Sequence, residues 1–531
     1  MPLVRSWLER GANLPLAGPF VIHCLESVEQ WRQLLNPVSD NATSHETLRS
    51  SASSAACVKG LVTNTQKLIF MRQDMRPQEY LGQMLGYNLR GEILGLFFTA
   101  AARATYDTAY FSNLYTTHEE RCQFMKSLVA LGDCCLETCL ELDCLNDLQL
   151  ILQYENFIVH SQVDGDQSYR SWRRMGDVAS SLFAMGYHEK VDGLSSETPP
   201  FIIDLRKACF ARIYTLDKNL AIFLGRPPRI VKEYCHFTLP STTVHSWGPS
   251  HFSSTEKLMP SLTEWGNPQA ANDSSLEPFN YTADTRCAAL FALLKEEVLQ
   301  LLRKRHVAGN MDAINELRGR VEKQWADLPA HFRLSSSLKD CRVNPFERDF
   351  LAGTRLDYLH IHFLLALASQ QKSFEPNEYL LAVAVEMLSI TVEVIILRDE
   401  LVNSGSCLIW KVSQFGLPAA GVLSMTLLDS ATTHNFSTSR PKIVQTLSVL
   451  VAEVETGSWM QAGEPNFALF NRATRTIQSV LHYVLVARPI VVPSDVNDGF
   501  LEGWDPYASL QPWDFELDFW ANLAEHPTLL N

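Results

Sequence analysis

Apolar residues in this 531-residue chain recur mostly at steps of three and four, and this spacing limits the fold more than any other feature. The clearest run forms one stripe of a predicted helix: Ile202, Leu205, Cys209, Ile213, Leu216, Leu220 and Leu224. Gly225 and the two prolines after it predict the end of that helix, because glycine favours the turn after a helix and proline cannot continue one. Strand patterns of alternating polarity are almost absent. The sequence therefore predicts an all-α fold, a large irregular multi-helix domain.

Helical periodicity extends over much of the chain on both sides of that run. Helices are predicted over residues 119–142, 147–160, 169–187, 202–224, 311–326, 346–371, 377–402, 408–430, 440–456 and 466–486, with another beginning near Asp284. These segments share no fixed repeat length, so we do not expect a regular solenoid.

Changes in composition divide the chain into three parts. Residues 1–66 form an N-terminal lead with a Ser-rich linker, and residues 67–490 form the helical domain. Residues 240–280 carry Pro, Ser and Asn without periodicity, which predicts a loop insertion within that domain. Residues 491–531 form an acidic-aromatic tail.

The tail combines negative charge with large apolar side chains. It has eight acidic residues and no Lys or Arg after Pro493. The apolar positions at its centre define a predicted activation segment: Trp513, Phe515, Leu517, Phe519 and Trp520. Such alternation is typical of disordered activation domains, in which charge keeps the aromatic side chains in water until a partner binds them. The alternative is a tail that packs on the chain's own helical core. The same tail could adopt the two states at different times.

Net charge and motifs exclude several function classes. The net charge of −14 argues against a broad nucleic-acid surface, which would need clustered Lys and Arg. The chain has no P-loop, no G-x-G-x-x-G loop, no G-x-S-x-G elbow and no H-E-x-x-H pair. We therefore assign no catalytic residue, cofactor or metal, and we expect no enzyme, with an all-α enzyme that lacks a linear motif as the alternative. No uncharged apolar run is long enough to predict a membrane span.

Twelve cysteines lie at irregular spacings, which is typical of reduced thiols rather than of a disulfide scaffold. Cys134, Cys135, Cys139 and Cys144 lie close together along the chain. Their spacing favours core packing over the C-x2-C pairs of structural zinc sites, so a zinc site is the less favoured interpretation.

Asp217 is the one charged residue that the helical pattern places in an unfavourable position. It lies at the edge of the apolar stripe, where a carboxylate is expected to be half-buried and to need a hydrogen-bond donor. Arg226, in the rigid Gly-Arg-Pro-Pro turn, is the predicted donor.

An ordered series of segments resembles a known family. Gly176–His188 is a predicted helix that ends in Gly-Tyr-His, and it is followed by Arg206, by the pair Asp217-Lys218 and by Leu224-Gly225-Arg226-Pro227. This series resembles the fungal-specific transcription factor domain, the all-helical middle homology region of fungal zinc-cluster regulators. The resemblance covers about residues 67–430. It implies that these residues, Arg206, Asp217 and Leu224 to Pro227, are structural residues of the family signature.

The resemblance implies a transcriptional regulator in the nucleus that controls a biosynthetic or metabolic gene cluster through a helical regulatory domain and an acidic activation tail. The six-cysteine zinc cluster of the family has no counterpart in the cysteine spacing of this sequence. Direct DNA binding is therefore expected only where a zinc cluster is supplied elsewhere. The implied partners are the transcription machinery or another DNA-binding regulator, in a homodimer or heterodimer, and no membrane. The alternative is a cluster-less co-regulator, or a cytosolic ligand-sensing or interaction scaffold that does not bind DNA directly.

Overall fold

Helices make up the regular secondary structure of the part of the chain that the structure describes. The structure is a computed structural model, and it describes residues 2–11, 14–35, 57–191, 197–240, 279–303, 310–370, 377–402, 404–428, 440–457, 459–460, 462–486, 519–520 and 523–524. Extended backbone pairs within these residues only in the isolated bridge between Phe111 and Tyr115. The predicted all-α fold is confirmed. The Ser-rich linker, the loop insertion and most of the acidic tail lie outside the described residues, so the predicted division into three parts stays a prediction.

The first nine helices are α1 (Pro2–Glu9), α2 (Gly18–Leu35), α3 (57–66), α4 (Pro77–Gly82), α5 (Gly91–Asp107), α6 (His118–Glu141), α7 (Asp147–Val163), α8 (Tyr169–Ala184) and α9 (Pro200–Phe223). The others are α10 (Tyr281–Arg303), α11 (Asn310–Asp327), α12 (Pro345–Ala368), α13 (Glu378–Ile396), α14 (Ser404–Lys411), α15 (Leu417–Leu428), α16 (Arg440–Thr456) and α17 (Phe467–Val486). Short 3₁₀ turns lie at Gly86–Asn88, Lys232–Tyr234, Ala330–Phe332, Leu338–Asp340 and Arg398–Glu400.

Local sequence signals explain where several helices begin and end. α6 begins at a capping box, in which Thr117 Oγ1 accepts from the backbone N–H of Glu120 at 3.2 Å and the Glu120 carboxylate accepts from the backbone N–H of Thr117. α9 ends where the sequence predicts. Gly225 takes a φ of +61°, a conformation that glycine tolerates best, and Arg226 N donates to Ala221 O at 3.0 Å.

The helix predicted over residues 408–430 is present through Leu428, but its winding changes in the middle. α14 and α15 are separated by a π-helical turn at Val412–Gly416, which Leu417 N closes by donating to Val412 O. Pro418 gives a local reason for this wide turn. It lacks the N–H that would donate to Gln414 O in an ordinary α-helix, and its ring would clash with that carbonyl group. The neighbouring helix adds a second reason, since a Cβ atom on Gly416 would lie 2.7 Å from Thr391 Cγ2 in α13.

Two adjoining apolar cores organise the fold. The first core draws its buried side chains mainly from helices between α1 and α9, and the second draws them mainly from α10 to α17. The N-terminal helices belong to the first core: Leu3, Val4 and Trp7 are buried, and Trp7 Nε1 donates to Asp107 Oδ2 at 2.8 Å. Burial of this apolar surface is the main stabilising contribution to each core.

α13 is a long and strongly apolar helix of the second core. By length and composition α13 is able to cross a membrane, and it is the one such helix among the described residues. However, 67% of its most apolar window is buried inside the fold. This burial is typical of the central helix of a packed core.

Candidate functional site

Asp217 and Lys218, which are adjacent in α9, form the centre of a buried ion-pair network. Asp217 is 1% exposed and accepts hydrogen bonds from Lys218 Nζ at 2.9 Å and from the backbone N–H groups of Arg229 and Ile230 at 3.0 Å. Lys218 is fully buried and donates as well to Ile230 O. Asp217 therefore lies deeper than the half-buried position expected from the sequence. Its donors are Lys218 and two backbone amides rather than the predicted Arg226.

Glu296 of α10 extends this network to a second acidic group. Its Oε2 atom lies 3.3 Å from Lys218 Nζ and accepts from Tyr214 Oη at 2.5 Å, while its Oε1 atom accepts from Lys232 N at 2.9 Å. Burial and the Glu296 carboxylate raise the pKa of Tyr214, so the phenol stays protonated and donates. Two carboxylates thus share the single Lys218 ammonium, and neutral N–H and O–H donors satisfy their remaining oxygen lone pairs, as burial requires.

Lys295, next to Glu296 along α10, joins the network's helices to the second core. It is 1% exposed, and its Nζ atom donates to Asn219 Oδ1 at 2.7 Å and to Asp357 Oδ1 at 2.6 Å. These bonds connect α9, α10 and α12. The ion pairs therefore lie where the first and second cores meet.

The turn after α9 is fixed to α8 through Trp172. The guanidinium carbon of Arg226 lies 4.8 Å from the centre of the Trp172 ring, and that of Arg229 lies 4.0 Å from it. Arg229 Nη2 also donates to Trp172 O at 2.8 Å. Leu224 is buried beneath this turn, whereas Pro227 is exposed.

Arg206, also in α9, forms a separate ion pair with Asp147 at the start of α7. Its Nε and Nη2 atoms donate to the two carboxylate oxygens of Asp147 at 2.9 and 3.0 Å, and Tyr187 donates to Asp147 as well. A bidentate pair of this kind fixes the direction of both side chains. Because Arg206 and Asp217 are bonded to protein groups, their arrangement suits a structural role rather than acid–base catalysis. The role of these residues as a family signature stays a prediction.

A cavity of about 240 Å³ lies beside these ion pairs, between the first core and α14. Its apolar walls come from α7, α9 and α14: Phe157, Ile158, Leu216, Leu220, Ile409 and Trp410. Its polar lining includes Arg103, Glu155, Asp166, Arg212, Asn219 and Asn466. A concave, largely apolar site with a few convergent polar groups has the general form of a small-molecule site.

Three of the four charged side chains that line this cavity take part in ion pairs. Arg103 Nη1 donates to Glu155 Oε2 at 2.6 Å, and Arg212 Nη2 donates to Asp284 Oδ2 at 2.6 Å. Asp166 is the exception, since it accepts from the neutral Asn466 amide at 3.1 Å. Burial raises the pKa of Asp166 to about 7, so that the acid is only partly ionised at neutral pH.

Sequence reasoning assigned no function to the residues around the cavity. A signal for part of it is present in α9, where Arg212, Thr215, Leu216 and Asn219 follow helical spacing and are all half-buried. Leu216 belongs to the edge of the core stripe, and the three polar residues lie beside it. Their spacing indicates a face that is not fully packed, but it does not tell a cavity from ordinary solvent.

The histidines and cysteines show no arrangement for a metal in the described part of the chain. No three His, Cys, Asp or Glu side chains among the described residues are grouped closely enough to hold a metal ion. His360 packs edge-on against Phe415 with ring centres 5.1 Å apart, whereas His362 Nδ1 lies 2.5 Å from Tyr379 Oη. The two histidines therefore face different neighbours, as their spacing of two residues predicts.

The end of the predicted activation segment packs on the second core. Phe519 and Trp520 are 8% and 1% exposed, and Thr476 Oγ1 of α17 donates to Trp520 O at 3.2 Å. Phe519 lies against α15, where a Cβ atom on Gly421 would come within 2.7 Å of Phe519 Cε1. The other members of the predicted segment, Trp513, Phe515 and Leu517, lie outside the described residues.

Comparison with known proteins gives one match, and it lies in the part of the chain that holds the ion pairs. Residues 97–314 match the family model described as the fungal specific transcription factor domain. The matched range runs from α5 into α11 and includes Arg206, Asp217 and the turn after α9. No curated protein and no solved structure gives a significant match.

Proposed function

We propose that this chain, in which residues 97–314 match the fungal specific transcription factor domain, regulates the transcription of a biosynthetic or metabolic gene cluster in the nucleus. The family match supports a fungal transcription factor-like regulator, and this domain is regulatory rather than enzymatic. In the proposal, the helical domain controls the acidic tail, and the tail contacts the transcription machinery. DNA is reached through a zinc cluster supplied elsewhere or through another DNA-binding regulator.

The observation that carries the proposal is the family match, and the composition of the tail adds to it. Eight acidic residues without a Lys or Arg surround the aromatic side chains after Pro493. Phe519 and Trp520 are apolar enough to be buried against α15 and α17. Side chains that bury well on one helical surface are suited to bind the apolar groove of a partner in the same way.

Fusion of residues 493–531 to a heterologous DNA-binding domain tests the activation function. We expect the fusion to activate a reporter gene. Replacement of Trp513, Phe515, Leu517, Phe519 and Trp520 by Ala keeps every acidic residue and is expected to abolish that activation. A fusion that is silent, or a substituted tail that activates as strongly as the native tail, would reject the activation segment.

Deletion of the gene tests control of transcription independently of the tail. We expect lower transcript levels across a set of neighbouring metabolic genes, together with nuclear localisation of the tagged full-length chain. The cytosolic scaffold is the second candidate, because the cavity beside Asp166 and Arg212 offers a place for a ligand. Cytosolic localisation with unchanged transcripts would favour the scaffold over the proposed regulator.

A further inference from the structure

From the geometry of the cavity between α7, α9 and α14, we propose that it binds a small uncharged ring compound that carries a hydrogen-bond donor. The proposal goes beyond the function in transcription and does not depend on it. Three properties of the site lead to this class of ligand: its size, the unused hydrogen-bonding groups on its walls, and the balance of its charges.

The volume of the cavity sets the size of the ligand. An apolar cavity of about 150 Å³ is large enough for benzene, so the 240 Å³ present here fits a molecule of about ten non-hydrogen atoms. Leu216, Ile409 and Trp410 give the cavity apolar walls on two sides. Walls of this kind favour a flat ring over an extended polar chain.

Glu155 supplies the reason for a donor on the ligand. Its side chain is fully buried and lines the cavity, yet only its Oε2 atom has a partner, the Arg103 guanidinium. Its Oε1 atom has no hydrogen bond within the described residues. A buried carboxylate oxygen without a donor is unfavourable, so a hydroxyl or N–H group of a ligand would remove a penalty that the fold carries.

Two groups of α9 give the ligand further hydrogen-bonding positions. Asn219 accepts from Lys295 through Oδ1, and its amide nitrogen has no partner among the described residues. Arg212 uses Nε and Nη2 for bonds to α10, while its Nη1 atom makes none in that part of the chain. Both side chains line the cavity, so they are positioned to donate to an oxygen of the ligand.

The charges around the cavity favour a neutral ligand. Each of the two guanidinium groups already has its own carboxylate, Arg103 with Glu155 and Arg212 with Asp284. Asp166 is bonded to the uncharged Asn466. An anionic ligand would therefore enter the site without a free cation, and a cationic ligand would meet only Asp166, which is not fully ionised at neutral pH.

Calorimetric titration of the full-length chain with matched probes tests this inference. 4-Hydroxybenzyl alcohol is the neutral donor probe, 4-methylanisole is its neutral analogue without a donor, and 4-hydroxybenzoate and 4-hydroxybenzylamine carry a charge of each sign. We expect the neutral donor probe to bind saturably, with a Kd of roughly 100 μM. The analogue without a donor and the two charged probes are expected to bind about tenfold more weakly.

Variants of the chain locate the binding at the cavity. Leu216→Trp fills the cavity and is expected to abolish binding of 4-hydroxybenzyl alcohol. Leu131→Trp places the same side chain on an exposed position of α6 and is expected to leave binding unchanged. Thermal melts of both variants check that they fold. Glu155→Gln keeps the shape of the side chain, and we expect it to reduce the difference in affinity between 4-hydroxybenzyl alcohol and 4-methylanisole.

Three results would overturn the inference. They are no saturable binding of the neutral donor probe, equal or tighter binding of a probe without a donor or with a charge, and binding that survives in a folded Leu216→Trp variant. None of these results concerns DNA or the tail, so a failure here is distinguishable from a failure of the proposed regulatory function.

Discussion

Asp217 shows at the scale of a single residue how much the buried network depends on one carboxylate. Replacement of Asp217 by Ala leaves two backbone N–H groups and the Lys218 ammonium without their main acceptor. Lys218 keeps its contacts with Glu296 and Ile230 O, which reduces the loss. We therefore expect Asp217→Ala to lower the free energy of unfolding by about 3 kcal/mol, measured by urea denaturation.

Two further variants separate this effect from a general effect of charge. Glu316→Ala removes an exposed carboxylate from α11 and is expected to change the free energy of unfolding by less than about 0.5 kcal/mol. Asp217→Asn keeps an oxygen that accepts from the backbone. Its free energy of unfolding is expected to lie between those of Asp217→Ala and Glu316→Ala. An Asp217→Ala variant as stable as Glu316→Ala would show that the network does not stabilise the fold.

Asp166 gives a prediction with a defined dependence on pH. Burial raises its pKa from the usual value near 4 to about 7, so between these values the folded chain holds a proton that the unfolded chain has lost. The contribution of Asp166 to stability therefore falls as the pH rises from about 4 to 7. Asp166→Asn stays neutral, and we expect its stability relative to wild type to increase by about 2–3 kcal/mol from pH 5 to pH 8.

Urea denaturation of wild type and Asp166→Asn at both pH values measures this change. Glu316→Gln, at an exposed position, serves as the control, and its stability relative to wild type is expected to stay nearly constant with pH. A constant difference between wild type and Asp166→Asn would contradict the raised pKa of this acid.

For single residues, the sequence predicts where a side chain lies in the fold better than it predicts which residues that side chain contacts. Helical spacing is enough to place Asp217 near the core and to end α9 at Gly225, because both follow from the local chain. Lys218 and Glu296 were not foreseen as members of one network, since they lie 78 positions apart along the chain (296 − 218) and meet only through packing. A rigid turn likewise does not show whether Arg226 faces Asp217 or Trp172.

At the scale of the helical element, Gly421 determines how closely the tail approaches α15. A Cβ atom at this position would lie 2.7 Å from Phe519 Cε1 and 2.9 Å from Phe519 Cζ, so Gly421→Ala requires Phe519 to move. Alanine is otherwise favourable in a helix, so α15 itself is expected to stay intact. We expect faster chymotrypsin cleavage next to Phe519 and Trp520 in this variant than in wild type.

Gly353 of α12 provides the matched control for this change. A Cβ atom there would meet no heavy atom within 4 Å, so Gly353→Ala is expected to stabilise the fold by up to about 1 kcal/mol and to leave cleavage of the tail unchanged. Equal cleavage of the two variants would show that Gly421 does not hold the tail in place.

Long amphipathic helices are the elements that the sequence predicts well. The segments 440–456 and 466–486 correspond closely to α16 and α17, because each carries its own apolar stripe. The π-helical turn at Val412–Gly416 was missed, since the apolar pattern is continuous through it. Its cause lies partly in another helix, where Thr391 packs against Gly416.

At the scale of the whole molecule, three features lie where helices of different parts of the chain meet. The pair Lys295–Asp357 joins the α9 network to α12, the cavity is lined by residues of both α9 and α14, and Phe519 packs on α15. The cavity was not predictable from the sequence, because its walls come from distant segments and no single segment carries a motif for it. A ligand in the cavity and a tail on α15 would both act on the packing of the second half of the chain.

Release of the tail from α15 would affect the whole molecule as a regulator, provided that the proposed activation function holds. If Phe519 and Trp520 contact the transcription machinery, they cannot do so while they are buried against α15 and α17. A loss of about 1.4 kcal/mol of packing shifts the ratio of released to packed tails about tenfold. We therefore expect Gly421→Ala, in the full-length chain fused to a heterologous DNA-binding domain, to raise reporter activity several-fold. Gly353→Ala in the same fusion is expected to match wild type, and a fall in activity or no change with Gly421→Ala, despite faster cleavage of the tail, would contradict control by packing.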